Sequence, residues 1–257
     1  MLRKLRIAIL LLILIVVGLA ALTDRIYTTQ WTAPLRVALY PIAADESATT
    51  RDYVARLSIE KFQALEPFFA EEANQYGVSL DPPVHIALAP SMQVMPPPPP
   101  KSGNALQTIL WSLHMRWWAW QMPPKAPGAT PQIRIFLLFH DPALTPILEH
   151  SVGLQKGLLG IANLFAARTM EGSNQVVIAH ELLHTVGATD KYDVNALPLY
   201  PIGYAEPDLI PRFPQHYAEL MAGRVPDSPT SAHTPESLAD VIVGPDTATE
   251  IGWTKAR

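Results

Sequence analysis

The sequence contains no cysteine. Disulfides, thiolate metal sites and a cysteine nucleophile are therefore excluded. A chain without disulfides can work in any compartment, so the same absence says little about location. An excess of positive charge is also lacking. Nineteen Lys and Arg face 23 Asp and Glu, for a formal net charge of −4. Beyond the N-terminus no Lys/Arg cluster occurs, and nucleic acid is not an expected partner. No internal repeat is visible.

Apolar content, by contrast, is plentiful. Hydrophobic residues make up 49% of 257, enough for one sizeable domain, or one with two lobes, around a real core. The 26 prolines imply ordered or extended connections rather than continuous helix.

The first 25 residues differ from the rest. Arg3, Lys4 and Arg6 precede an uncharged apolar run over residues 7–22. Basic residues stay on the cytoplasmic side, so the chain beyond Leu22 should be translocated. An uncleaved anchor needs roughly 17–25 apolar residues, and this run lies at or just under that limit. A cleaved signal peptide remains the alternative, with Gly18-Leu19-Ala20 as a small-residue site. The expected organisation is an anchor or signal over 1–25 and one domain over 30–257. That domain faces the periplasm or cell exterior, tethered or secreted.

Along the rest, residues 35–42, 85–89 and 133–140 read as buried strands. Residues 47–76 carry helical spacing, which Pro67 should kink or split. A run of five prolines opens at Pro96 and closes at Pro100. It predicts a stiff rod, a spacer or a ligand for a partner's aromatic groove. Residues 106–122 predict a helix with Trp111, Trp117, Trp118 and Trp120. The expected place for its aromatics is the core, packed on the sheet; a membrane-interface or partner surface is the alternative. Residues 160–165 predict an edge strand. Strands alternating with helices give an α/β class with a mixed sheet.

Residues 174–187 read NQVVIAHELLHTVG. Ser173 or Asn174 suits the helix start and Gly187 its left-handed end. Val176, Ile178, Ala179, Leu182, Leu183 and Val186 crowd into one arc, leaving His180, Glu181 and His184 in the remainder. Histidines four apart share a face, so two imidazoles can meet one metal ion. Glu181 is placed beside the ion, where a carboxylate can take a proton from water. A third ligand is needed, and Asp190 arrives six residues after His184, past the break at Gly187.

The run HELLHTVGATD resembles the metzincin zinc-binding signature in its form with Asp as third ligand, as in snapalysin-like peptidases. The resemblance implies Zn2+ held by His180, His184 and Asp190, with Glu181 as general base in peptide-bond hydrolysis. It also implies a tight turn with a Met beneath the ligands. Residues 218–223 are similar to such a turn, with Met221 as its Met. The fold implied is a twisted mixed sheet (α+β in its layering) with an active-site helix and a smaller C-terminal lobe. The lobes would be 30–187 and 188–257, with a C-terminal helix starting at Thr234-Pro235-Glu236 and running through Val243. A protein or peptide substrate would lie extended along an edge strand near 160–165. Many metzincins place a Tyr two residues after the Met; here Gly223 stands there, so no Tyr ligand is expected from that position. Tyr192 and Tyr217 receive no role from spacing.

Other polar residues predict less. His140 is expected to be a satisfied structural histidine, Glu149-His150 a solvated loop pair, and Asp193 a solvated loop carboxylate. The alternative function is a non-catalytic envelope binding module that keeps zinc as a structural clamp. A fourth protein ligand would favour it, and the presence of a base argues against it.

Overall fold

The computed structural model describes residues 6, 11, 30–100, 104–122, 127–149, 151–154 and 158–254. The segment expected to be an anchor or signal therefore lies outside the described residues, apart from Arg6 and Leu11. Among the described residues no helix is long and apolar enough to cross a membrane.

The apolar runs form a five-stranded mixed sheet. Its strands are β1 (Leu35–Ala43), β2 (Val84–Leu88), β3 (Ile133–His140), β4 (Val152–Leu154) and β5 (Leu159–Phe165). The order is β2-β1-β3-β5-β4. All neighbours are parallel except β4, which runs antiparallel to β5. Strands covered on both faces lack polar alternation, which is why β1 and β3 read as continuous apolar runs. Leu35, Val37, Leu39, Ile133, Ile135 and Leu137 point into one cluster, and Ala38, Tyr40, Ile42, Phe136 and Leu138 into another.

The first cluster is covered by α1 (Ala48–Ala55), α2 (Leu65–Gln75) and α4 (Glu171–Val186). The second is covered by α3 (Ala105–Gln121), through Trp111, Met115, Trp118 and Ala119. The molecule is thus a three-layer α/β arrangement. The proline run lies against α3, where the Trp111 indole N–H donates to the Pro97 carbonyl at 2.9 Å.

Several boundaries differ from expectation. The helical stretch breaks between Ala55 and Leu65, not at Pro67. Pro67 falls in the first turn of α2, where a missing N–H leaves no helix bond unmade. Strand β5 is not an edge: it pairs with β3 and β4, and the three-residue β4 takes the rim. No helix runs from Thr234 through Val243. Ser237 and Asp240 form a capping box around the single 3-10 turn Leu238–Asp240. The β-branched pair of β9 (Val241–Ile242) then pairs with β6 (Ala218–Glu219). Helix α5 (Pro245–Glu250) begins only at Pro245. Between these lie the hairpin strands β7 (Val225–Ser228) and β8 (Ser231–His233).

The residues after Gly187 join the first cluster through Leu220, Met221, Val241, Val243, Ala248, Ile251 and Trp253. The tail docks by Ile251, whose carbonyl accepts the Trp31 indole N–H at 2.7 Å, and by Trp253, edge-on to Trp31.

Candidate metal centre

Helix α4 carries the histidines along the face of the sheet. Neither expected residue caps it. It starts at Glu171, and Met170 offers no side-chain cap. Asn174 instead fastens the helix to the end of β5, accepting the Phe165 N–H at 3.1 Å and donating to the Phe165 carbonyl at 2.9 Å. Ser173 donates to the Pro235 carbonyl. The helix ends as expected at Gly187, with φ of 115°, a conformation that costs a residue with a Cβ.

That reversal positions His184. The chain turns back so that the Ala188 carbonyl accepts the His184 Nδ1–H at 2.9 Å. One helical turn away, the Leu220 carbonyl accepts the His180 Nδ1–H at 2.9 Å. With both Nδ1 atoms committed as donors, both Nε2 atoms carry lone pairs. These two Nε2 atoms lie 3.0 Å apart. The Asp190 Oδ1 sits 3.2 Å from the first and 3.1 Å from the second. Three electron-rich atoms thus converge on one point, an arrangement that repels itself unless a cation or proton joins it. Ligands at roughly 2.0–2.1 Å from a tetrahedral zinc are themselves a little over 3 Å apart, so the triangle fits the ion. Ligand atoms of His180, Glu181 and His184 also lie within 4.8 Å of one another. Asp190 nevertheless makes the closer contacts to both rings.

The charges reflect this packing. Burial works against the Asp190 carboxylate, but His180 and His184 outweigh it and hold the carboxyl well below its usual range. Burial likewise opposes a charge on His180, yet Asp190, Glu181 and the Leu220 carbonyl together raise it. Glu181 is 3% exposed, and burial pushes its carboxyl up to about 7 against the pull of both histidines. Its Oε2 is buried with no hydrogen-bond partner among the described residues. Such an atom is costly unless something fills the space beside it.

The rim strand comes close to this helix. A Cβ at Gly153 of β4 would overlap the His184 Cβ and stand 2.8 Å from the Glu181 carbonyl oxygen. Gly160, its partner on β5, faces the Glu181 Cβ in the same way at ordinary contact distance. Only a glycine lets β4 lie this close to His184 and Glu181.

Four residues without a role from spacing belong to the site. Tyr192 stacks on His180 with ring centroids 6.4 Å apart. Its phenol hydrogen-bonds to Asp190, and burial together with that carboxylate pushes its pKa up. Lys191 is 1% exposed; its Nζ meets Glu250 at 2.9 Å, and its N–H donates to the Met221 carbonyl at 2.9 Å. Thr189 donates to Glu250 through both its N–H and hydroxyl. Asp190 is therefore held between two residues anchored on α5. The fourth is Glu219, fully buried, which accepts from the N–H groups of Met221, Ala222 and Gly244 and from the Thr247 hydroxyl. It closes the turn that presents the Leu220 carbonyl to His180. Met221 is fully buried in the apolar cluster, and Gly223 ends the turn with φ of 69°. Tyr192 lies two places beyond Asp190 and Glu219 two before Met221, but no spacing rule marks either.

The weaker expectations divide. His140 is satisfied by Asn163, with Nε2 to Oδ1 at 3.1 Å. Asp193 is a half-buried turn carboxylate that accepts the N–H groups of Asn195 and Leu197. His150 lies outside the described residues, so the Glu149-His150 pair does too. A cavity of about 530 Å³, lined by Tyr53, Arg56, Arg168 and Glu171 among others, opens at the start of α4, away from the histidines.

No protein-family model matches this sequence, and no curated protein matches it. The assignment of a function therefore rests on the geometry of these side chains.

Proposed function

We propose that the chain is a zinc-dependent metallopeptidase of metzincin type, held to or released outside a membrane by its N-terminal segment. His180, His184 and Asp190 would hold the ion. Two nitrogens and one oxygen, with the Glu181 carboxylate beside them, suit a catalytic zinc better than a closed structural one. Bound there, zinc supplies Lewis acidity that polarises a carbonyl and acidifies water. Glu181 takes the proton of the attacking water at Oε2 and hands it to the leaving amine. The Leu220 and Ala188 carbonyls keep both imidazoles in the ligating tautomer. Tyr192 holds the free side of Asp190. Met221 forms the apolar floor of the turn under His180. An extended peptide would add to the rim along β4, the strand next to Glu181.

The observation that carries this reading is the unpartnered, buried Glu181 Oε2 beside three converging ligand atoms. A structural clamp has no use for a buried base; a hydrolase does. The test measures metal content and peptide cleavage on the full chain in detergent. About one zinc per chain is expected, with Glu181→Gln retaining it but slowing cleavage by roughly a hundredfold or more. Absence of stoichiometric transition metal, or equal turnover by wild type and variant, would overturn the assignment.

A further inference from the structure

Helix α3 is apolar on both sides, but among the described residues only one side is covered. Trp111, Met115, Trp118 and Ala119 are buried on the sheet. Leu106, Ile109, Leu110, Leu113, Trp117 and Trp120 are each more than half exposed, Trp120 at 79%. At 3.6 residues per turn these six fall within an arc of about 100°, opposite the buried set. A helix that is apolar all round is one that is buried all round. An exposed stripe of six large side chains, two of them Trp, marks a surface that meets something.

Charge and position identify what it meets. No Asp or Glu occurs anywhere from residue 82 to 140, while Lys101, Arg116, Lys125 and Arg134 do. Nothing acidic in this stretch would be repelled by an anionic surface, and its charges are of the attracting sign. Trp is the residue favoured where an apolar phase meets water. The C-terminal end of α3 is also tied to the place where the chain enters the domain. The Arg134 guanidinium donates to the Ala119 and Met122 carbonyls. Two residues earlier, Gln132 exchanges hydrogen bonds with Arg36 at the start of β1. Trp117 and Trp120 therefore lie at the end of the sheet where β1 begins.

We infer that α3 is an interfacial helix which lays its outer stripe on an anionic lipid bilayer and so fixes the domain's orientation on the membrane. This role is independent of the metal site. It also separates from the N-terminal anchor, because it concerns where α3 lies and not whether the chain is membrane-bound.

The missing cysteines make a direct test available. Single variants Ile109→Cys, Leu113→Cys and, as a control on another exposed residue, Ile210→Cys each carry one nitroxide label on the full chain. They are reconstituted with phosphatidylcholine–phosphatidylglycerol vesicles. The labels at 109 and 113 should collide several-fold more with oxygen than with a water-soluble nickel chelate, relative to the label at 210. Adding Trp117→Ser with Trp120→Ser should remove that preference at 113. Three results would overturn the inference. The first is aqueous accessibility at 109 and 113 while the chain floats with the vesicles, which leaves the anchor standing. The second is label–label broadening between chains, which puts a second copy on the stripe. The third is failure of the chain to float at all.

Discussion

At the scale of single residues, the question is what holds Asp190 against the histidines. Asp193 is also a carboxylate past Gly187, but its side chain is spent on the N–H groups of its own turn. Asp190 is instead locked from both sides, by Thr189 and Lys191 on Glu250. Asp190→Ala should therefore weaken zinc binding strongly, whereas Asp193→Ala should leave it near wild type; competition with a chromogenic chelator reads both. If Asp193→Ala is the variant that loses metal, the ligand set is wrong. Tyr192 adds a finer test. Loss of its hydroxyl in Tyr192→Phe removes an outer partner of the ligand, and such losses typically cost about 10–100-fold in metal affinity. Unchanged affinity would show that the phenol does not orient Asp190.

At the scale of elements, Gly153 is the point where β4 meets α4. Gly153→Ala drives a methyl into the His184 Cβ and the Glu181 backbone carbonyl, neither of which is the end of a flexible chain. Overpacking of this kind costs about 1–3 kcal/mol, so a lower melting temperature is expected together with weaker metal binding. Gly77→Ala is the control: a Cβ there meets nothing within 4 Å, and only its left-handed φ is at stake. Equal effects of the two would mean that strand and helix do not press on each other. The same contrast between local and distant contacts explains which elements the sequence made legible. The strands and α4 were legible because burial on two faces writes itself into sequence as unbroken apolar runs, and one-sided polarity as a stripe. The meeting of His180 and His184 was legible because the helix period puts residues four apart on one face; Asp190 was expected beside them from the resemblance, and its place depends on the distant Glu250. Strand β4 was not, since three residues carry no period. Nor was the C-terminal segment, whose order comes from contacts such as Glu219 with Gly244 and Thr247, more than twenty residues away. Thr234-Pro235-Glu236 has every local sign of a helix start, but the Ser237–Asp240 capping box and the β6–β9 pairing win.

At the scale of the whole molecule, buried carboxylates tie distant parts of the chain together and make its stability depend on pH. Glu72 on α2 accepts the Val243 N–H, 171 residues away, at 2.6 Å. It is 5% exposed, and burial raises its pKa above the ordinary 4.5, against the pull of that N–H and with a further push from Glu71. Burial raises Glu219 in the same direction. In the unfolded chain both release their protons near 4.5. Between that value and the higher folded one, the native state holds more protons, so stability falls as pH rises through the window. Glu250 acts with the opposite sign: burial opposes its charge, but Lys191 and Thr189 outweigh burial and lower its pKa. Its contribution is present above 4.5 and is lost as pH falls. Thermal melts across pH should therefore show a maximum in the weakly acidic range, with a descending limb on the alkaline side to which Glu72, Glu219 and Glu181 contribute. Glu72→Gln keeps an acceptor for Val243 and abolishes the titration. It should make that descending limb shallower and leave the acid limb unchanged. Glu250→Gln should flatten only the acid limb, because Lys191 then loses its ionised partner at every pH. A Glu72→Gln protein whose melting temperature falls with pH as steeply as the wild type would show that this carboxylate is not strained by burial, and that the α2–Val243 tie is pH-independent.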